Sequence, residues 1–251
     1  ADLIPQILPG SADEFRLLTD AVGEKGYRQI DINLGCPFPM IAGKHKGAGM
    51  LLYPAQVAEV LAPIAEYPEI QFSLKMRLGW ENASECMVLV ELLNTLRLSR
   101  IALHARTGKQ QYKGHPDLEA FQGFYELCQH PLYYNGDIES LSDIRQILTR
   151  FPLLKGVFIG RGLLSSPLLA KEFKGNETFL PEQRMSIYFA FHEELFSAYS
   201  QVLQGETQLL VKMKTLWEYF LPETDRKLLK RIKKSTRLQQ YTESVKAIFT
   251  S

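Results

Sequence analysis

Six short apolar or β-branched segments that alternate with amphipathic segments are the feature that most restricts the fold of this chain. The strand-like segments span residues 3–8, 29–34, 71–77, 100–105, 131–135 and 154–160. The amphipathic segments carry apolar residues three or four positions apart, and they span residues 12–24, 54–66, 84–96, 118–128, 140–149 and 163–173. Strands and helices in regular alternation predict a parallel sheet, because each strand returns to the same end of the sheet through a helix.

Two architectures fit a parallel sheet, a doubly wound open sheet and a closed barrel. Polar or glycine-rich clusters follow nearly every strand-like segment, which is where a barrel assembles its site from several loops. A doubly wound sheet would concentrate its signal in one G-x-G-x-x-G turn after the first strand, and that turn is missing. We therefore predict an α/β fold of the TIM-type (β/α)8 barrel class, with six of the eight strand–helix units present and the other two expected before residue 1.

The pattern changes to helices alone after Asn176 and Pro181. Amphipathic segments follow at about residues 182–203, 207–220, 224–234 and 239–249. We predict a barrel domain over residues 1–178 and a small helical domain over residues 179–251. The formal net charge of the whole chain is +1, whereas residues 206–251 hold ten lysines and arginines against five acidic residues. This basic tail is either a solvated helix face or a binding surface for a polyanion.

The three cysteines, Cys36, Cys86 and Cys128, include no C-x-x-C pair, and no cysteine–histidine cluster has the spacing of metal ligands. No apolar run approaches the roughly 20 residues that span a bilayer. These observations predict no metal site, no membrane association and a cytoplasmic location.

Cys36 lies in the segment Asn-Leu-Gly-Cys-Pro at residues 33–37, ahead of a loop with three glycines and the basic residues 44–46. A thiol in such a loop can act as a nucleophile or as an acid. Because an unperturbed thiol is mostly protonated at neutral pH, the acid role is the simpler one. The alternative is that Cys36 is a small buried apolar residue.

Charged residues alternate along two neighbouring strand-like segments. Lys75 and Arg77 point to one face, which is the barrel interior if the residues between them pack against helices. Their partner is either a carboxylate such as Asp31 or a bound phosphate or cofactor ring. His104 and Arg106 end the next strand-like segment in the same way, and the polar loop that follows suits a ligand.

Glycines end the last two strand-like segments directly before helices. Asn135, Gly136 and Asp137 follow the fifth, and Gly160 and Arg161 follow the sixth. Exposed amides at a helix N-terminus suit a phosphate, and many barrels bind one after their last strands. Asn-Gly-Asp is equally an ordinary turn with a helix cap.

The motifs at residues 33–37, 75–79, 104–107, 135–138 and 159–161 resemble, in order and approximate spacing, those of the tRNA-dihydrouridine synthases. This resemblance covers about residues 3–175 and implies a flavin-binding barrel followed by a helical domain. The implied activity is FMN-dependent reduction of the C5–C6 double bond of a uridine in tRNA, with NADPH as the electron donor. The implied partner is tRNA, which the basic residues 44–46 and the basic tail would bind.

The resemblance also implies a role for each matching residue. Cys36 would be the general acid. Contacts to FMN would come from Gln6, Lys75 and His104 at the flavin ring and from Asn135, Gly136, Gly160 and Arg161 at the phosphate, with Asp137 as a further cofactor contact. The uracil would contact Asn33, Arg106 and Tyr112, of which Tyr112 is alternatively a packing residue of its loop.

Members of that family begin with two further strands before the position of residue 3. We therefore expect this chain to be a fragment or a truncated gene product. Two other functions stay open from the sequence: a flavin barrel that reduces a small pyrimidine, and an RNA-binding relative without catalytic activity.

Overall fold

The structure is a computed structural model that describes residues 3–250. Residues 1, 2 and 251, which the predicted domain ranges include, lie outside the described residues. Within residues 3–250, six parallel strands form one sheet. These strands are β1 (Gln6–Ile7), β2 (Gln29–Leu34), β3 (Gln71–Gly79), β4 (Leu98–Thr107), β5 (Leu132–Asn135) and β6 (Gly156–Phe158).

The strands lie in the sheet in the order of the sequence, and each pairs in parallel with the next. A doubly wound sheet reverses its strand order at a switch point, so the unreversed order is that of a barrel wall. The predicted fold class, α/β with six strand–helix units of the TIM-barrel type, is confirmed.

Helices follow each of the six strands. Within residues 3–250 they are α1 (Ala12–Gly23), α2 (Pro39–Ala42), α3 (Pro54–Leu61), α4 (Glu85–Thr95), α5 (Leu118–Leu127), α6 (Leu141–Arg150), α7 (Arg161–Ser165), α8 (Leu169–Gly175), α9 (Pro181–Val202), α10 (Glu206–Leu216), α11 (Arg226–Lys234) and α12 (Leu238–Phe249). Two 3-10 helices cover Gly47–Leu52 and Ala62–Glu66. Short side chains cap several N-termini, as Ser11 does for α1 and Asp117 for α5 by accepting from backbone amides of the first turn.

Two segments differ from the sequence-based prediction. Residues 163–173 were expected to form one helix, but α7 and α8 are separate because Pro167 lies between them. Proline disfavours helical geometry in the residue before it, and Ser166 is accordingly non-helical, with φ −136° and ψ 86°. The expected loop after β2 contains α2 and a 3-10 helix, and the residues of that 3-10 helix are largely buried.

Side-chain alternation along the strands separates apolar from polar residues. Residues of one face, among them Ile32, Leu74 and Leu103, are fully buried. Most residues of the opposite face are polar or charged, and they include Asn33, Lys75, Arg77, His104 and Arg106. Because the two sets point to opposite sides of each strand, the polar set meets on one surface of the sheet.

The chain divides into two compact units. The first unit holds the described residues through Asp137 together with Ile144–Phe158, and its core includes Phe15, Phe72, Phe121 and Phe151. The second holds Ile138–Asp143 and the described residues from Ile159 onward. The sequence-based division into domains at residues 178 and 179 stays a prediction.

The second unit has its own apolar core. Trp217, Tyr241 and Phe220 lie at its centre, and the buried His192 bonds the Tyr241 hydroxyl through Nε2 at 2.7 Å. None of the helices described between residues 3 and 250 is long and apolar enough to cross a membrane. In the same range, no three His, Cys, Asp or Glu side chains converge as a metal site would require.

Candidate active site at the carboxyl ends of the strands

Strand pairing places the polar side chains of β2 to β5 side by side. Asn33 pairs in register with Lys75, Arg77 with His104, and His104 with Asn135. All five stand near the carboxyl ends of their strands, where barrel enzymes hold their reactive groups. The sequence-predicted residues of the first unit therefore share one rim of the sheet.

The Cys36 loop, defined as residues 35–37, is held by hydrogen bonds on both sides of its backbone. The side-chain oxygen of Asn33 accepts from the amides of Gly35 and Cys36, each at 2.9 Å. Arg77 Nε donates to the Gly35 carbonyl at 3.0 Å, and the amide of Ala48 donates to the Cys36 carbonyl at 3.0 Å. The half-buried Cys36 thus occupies a defined position at the rim, in contrast to the alternative of a core residue.

Gly47 allows the following segment to pass close to this loop. Its φ is +56°, a conformation that side chains disfavour, and a Cβ here would lie 2.8 Å from the Cys36 carbonyl oxygen. One of the basic residues after the loop has a protein partner, since Lys46 Nζ lies 2.6 Å from the carboxylate of Glu14.

A chain of side-chain hydrogen bonds crosses β1, β2 and β3. Asn33 Nδ2 donates to Gln6 Oε1 at 2.6 Å, and Gln6 Nε2 donates to Asp31 Oδ2 at 2.6 Å. The Ser73 hydroxyl donates to the other oxygen of Asp31 at 2.5 Å. Ser73 was not among the site residues predicted from the sequence, although its position two residues before Lys75 places it on the same face.

Lys75 carries an amino group without a protein partner. No hydrogen bond or ion pair is found for its Nζ among residues 3–250, although the residue is only partly exposed. Burial lowers the pKa of Lys75, the neighbouring Arg77 lowers it further, and Asp31 and Cys36 oppose the change. Asp31 therefore acts on Lys75 through its charge, while its hydrogen bonds go to Gln6 and Ser73. An unpaired ammonium at this rim is suited to an acceptor on a ligand.

His104 is buried and neutral. Burial is the largest cause that lowers its pKa, to about 3, and the positive charges of Arg77, Lys75 and Arg106 add to the shift. Its Nε2 lies 3.4 Å from Nη1 of Arg106, which can only donate. The lone pair of the imidazole is therefore on Nε2 and its N–H is on Nδ1.

Arg106 is committed to contacts inside the first unit. Its guanidinium binds both carboxylate oxygens of Asp137, and Nη2 also donates to the Gly114 carbonyl at 2.7 Å. The side chain is only 1% exposed, and Nε has no hydrogen-bond partner among the described residues. The predicted contacts of Arg106 with uracil and of Asp137 with FMN stay predictions, and this ion pair occupies both side chains.

Arg77 is anchored by carbonyl oxygens. Its Nη1 donates to the carbonyls of Thr107 and Gln111, each at 2.8 Å, and burial lowers its pKa to about 10. Its guanidinium also lies 5.6 Å from the ring centre of Tyr112, a side chain that is 57% exposed. Arg77 thereby connects the Cys36 loop to the loop of Tyr112.

The glycine-containing turns fall in different units. Asn135 Nδ2 donates to the Phe158 carbonyl at 2.9 Å, and Gly136 has φ +150°, where a Cβ would lie 2.7 Å from the Tyr134 hydroxyl. Gly160 precedes α7 as its N-cap in the second unit, and Arg161 is its first helical residue. The predicted phosphate contacts of these residues stay predictions.

Comparison with known proteins identifies one family. The family model described as dihydrouridine synthase matches residues 3–250. A tRNA-dihydrouridine synthase B of Vibrio vulnificus is 28% identical over 174 residues, which are 66% of this chain and 54% of that protein. A probable tRNA-dihydrouridine synthase of Rhizobium leguminosarum bv. phaseoli is 32% identical over 139 residues, 55% of this chain and 44% of that protein. This chain spans about half the length of these curated relatives.

Among solved structures, histamine dehydrogenase from Rhizobium sp. 4-9 superposes with a TM-score of 0.51 at 16% identity. The superposition covers 66% of this chain and 27% of that one. At this identity the likeness concerns the fold alone.

The neutral state of His104 leads to a prediction for the pH dependence of stability. Unfolding restores the imidazole to its ordinary pKa of about 6.5, so the unfolded chain binds a proton that the folded chain does not. The free energy of unfolding should therefore fall as the pH drops from 6.5 towards 3, by up to about 1.4 kcal/mol per pH unit from this group. His104→Asn should remove this contribution, as measured by urea unfolding at pH 7.0, 6.0 and 5.0.

Proton NMR of the folded protein supplies the direct measurement. The imidazole resonances of His104 should not shift between pH 8 and pH 5, and assignment by comparison with His104→Asn identifies them. A titration midpoint near 6.5 would contradict the buried, neutral state.

Proposed function

The chain belongs to the dihydrouridine synthase family, and we propose that it reduces a uridine in tRNA to dihydrouridine, with FMN as cofactor and NADPH as electron donor. The proposal extends the activity named for its relatives to a chain that spans about half their length. The observation that carries it is the meeting of a half-buried thiol, an unpaired ammonium and a neutral imidazole at one rim of a parallel sheet.

The polar residues of the first unit suit a flavin. Lys75 offers a partly buried ammonium with no protein acceptor, and His104 offers an N–H on Nδ1. These two side chains and Gln6 would contact the flavin ring, and Asn135 and Gly136 would contact its phosphate. Gly160 and Arg161 remain candidate phosphate contacts, and Asp137 remains a candidate cofactor contact, on the grounds of sequence alone.

Bound FMN in its reduced form would supply the hydride that C6 of the uracil accepts. The protein must then deliver a proton to C5, and the Cys36 thiol is the acid at this rim. Asn33 can take part in base binding through one remaining N–H, because its oxygen holds the Cys36 loop and its other N–H bonds Gln6. Arg106 and Tyr112 would complete the uracil contacts.

Replacing the proposed acid tests the assignment of Cys36. Cys36→Ala should lower the rate of dihydrouridine formation by roughly a hundredfold or more, because a positioned general acid contributes about that much. The rate is measured by mass spectrometry of nucleosides from unmodified tRNA incubated with protein, FMN and NADPH. Cys128→Ala, which changes the other half-buried thiol, is the matched control and should retain activity. Full activity of Cys36→Ala would remove the assignment.

A charge-removing variant tests the flavin site without turnover. Lys75→Met should weaken FMN binding by about ten- to a hundredfold, since it deletes a charge-assisted hydrogen bond. Titration of FMN fluorescence against the protein measures this dissociation constant. Lys25→Met, a change at an exposed lysine of the same unit, should leave it unaltered. Equal FMN affinity in all three proteins would exclude Lys75 as a flavin contact.

A basic cleft in the second unit supports the choice of RNA as substrate. Lys227, Lys230, Arg231 and Lys234 recur at helical spacing along one side of α11 and line a cleft of about 430 Å³. All four are at least partly exposed, and none forms an ion pair among residues 3–250. Unpaired cations at this spacing match the repeating charge of an RNA backbone.

The salt dependence of RNA binding distinguishes this cleft from a solvated helix face. Lys230→Gln combined with Arg231→Gln should weaken tRNA binding and reduce the slope of log affinity against log salt by about one for each cation that no longer binds a phosphate. Filter binding at several salt concentrations gives both quantities. Lys171→Gln on α8, whose side chain pairs with Glu177, is the control. An unchanged slope in the double variant would assign α11 to a solvated surface.

A further inference from the structure

A buried carboxylate stands at the start of the hydrogen-bond chain behind the Cys36 loop. Asp31 is 7% exposed, and its two oxygens accept from Gln6 Nε2 and from the Ser73 hydroxyl. A carboxylate can only accept hydrogen bonds, whereas a side-chain amide presents an acceptor at one end and a donor at the other. Asp31 therefore decides which end of the Gln6 amide faces it.

The orientation that Asp31 imposes on the Gln6 amide also fixes the orientation of the Asn33 amide, which binds the Cys36 loop. Because Gln6 turns Nε2 towards Asp31, its Oε1 faces Asn33, and Asn33 must donate to that oxygen through Nδ2. The oxygen of Asn33 is then left facing the amides of Gly35 and Cys36, which are both donors. Reversal of the Asn33 amide would oppose N–H to N–H at two positions, one of them on the buried Gly35.

We propose that Asp31 is a positioning residue, whose carboxylate sets the direction of the Gln6 and Asn33 amides and thereby holds the loop that presents Cys36. The proposal rests on the proposed function for the significance of the thiol, but the loop geometry exists without substrate or flavin. The role is exerted through two other side chains, so Asp31 itself touches no reacting atom.

Two further hydrogen bonds determine how the Cys36 loop would respond if the Gln6 and Asn33 amides lost their fixed orientation. Arg77 and Ala48 bond the carbonyls of Gly35 and Cys36 independently of Asn33. These two bonds keep the loop in place when its amides are released. The expected consequence is a loosened loop in a folded protein, with faster exchange of its amide protons and easier access to the thiol.

Two single variants and their combination test the proposal. Asp31→Asn removes the acceptor-only group, so that Gln6 can adopt either orientation. Asn33→Asp places a second carboxylate opposite the Gln6 oxygen, so that in either orientation of the Gln6 amide its Oε1 faces a group that can only accept.

The combined variant allows every bond of the chain to form again in the reverse direction. The new amide at position 31 donates to Gln6 Oε1, and Gln6 Nε2 donates to the new carboxylate at position 33. That carboxylate still accepts from the amides of Gly35 and Cys36. The combination also keeps a negative charge opposite Lys75, with which position 33 is in register.

Two measurements on the full chain without RNA or FMN report the state of the loop. Hydrogen–deuterium exchange of the peptide with residues 33–38 and the rate at which iodoacetamide alkylates Cys36 should each rise about tenfold in either single variant. Both should return to within about twofold of the original values in the combined variant. Asp20→Asn, which alters an acceptor of the Tyr67 hydroxyl in the same unit, should change neither quantity.

Gln6→Met keeps the test decisive if replacement of the buried Asp31 unfolds the protein. Gln6 is exposed, and methionine breaks the series of hydrogen bonds while the carboxylate at position 31 and its bond from Ser73 remain. It should loosen the loop as the single variants do. Unchanged exchange and alkylation in Gln6→Met, or single variants whose loosening the combination does not reverse, would overturn the proposal.

The rate of dihydrouridine formation separates this inference from the proposed function. If both hold, kcat falls in Asp31→Asn, whereas Asp20→Asn leaves it unchanged. If the exchange pattern appears but the unaltered protein forms no dihydrouridine, the proposed function fails and the positioning role of Asp31 stands.

Discussion

An excess of positive charge on the polar face of the sheet is the constraint on which the site depends. Lys75, Arg77 and Arg106 lie on this face of the described strands, with only Asp31 and Asp137 as carboxylates at the same rim. Arg106 forms an ion pair with Asp137, and Arg77 donates hydrogen bonds to backbone carbonyl oxygens. Lys75 is therefore left without a hydrogen-bond partner among the described residues. Burial, and after it the charges of these cations, lower the pKa of His104, so its imidazole is neutral at neutral pH. A face of this kind favours an electron-rich or anionic ligand.

Both side-chain and backbone hydrogen bonds hold the Cys36 loop in position. Side chains from β2 and β3 bind its amides and one carbonyl, while the neighbouring segment at Gly47 and Ala48 packs on its other side. The thiol therefore depends on residues from several strands and from one loop. Its position is a property of the sheet rather than of the short motif that contains it.

The second unit is built on a different principle. Its core gathers aromatic side chains around Tyr241, whose hydroxyl bonds both His192 and the indole N–H of Trp217. His192 Nδ1 lies 3.0 Å from a carboxylate oxygen of Glu193, which can only accept, so Nε2 is left to accept the hydroxyl proton of Tyr241. All three buried polar groups are then satisfied. The charged residues of α11 remain outside this core, which leaves them available to solvent or to a polyanion.

The amino-acid sequence by itself determined the strand–helix alternation, most element boundaries, and the common face of Lys75 and Arg77, because these follow from periods of two and 3.6 residues. It also identified the family through short motifs at the strand ends. Only the tertiary structure decided which polar side chains bond each other. Arg106 bonds Asp137, Lys46 bonds Glu14, and Asp31 bonds Gln6 and Ser73. The partners in these pairs are 25 to 42 residues apart, and local periodicity carries no information over that separation. Strand order and register bring them together, and those are set by the packing of the whole sheet.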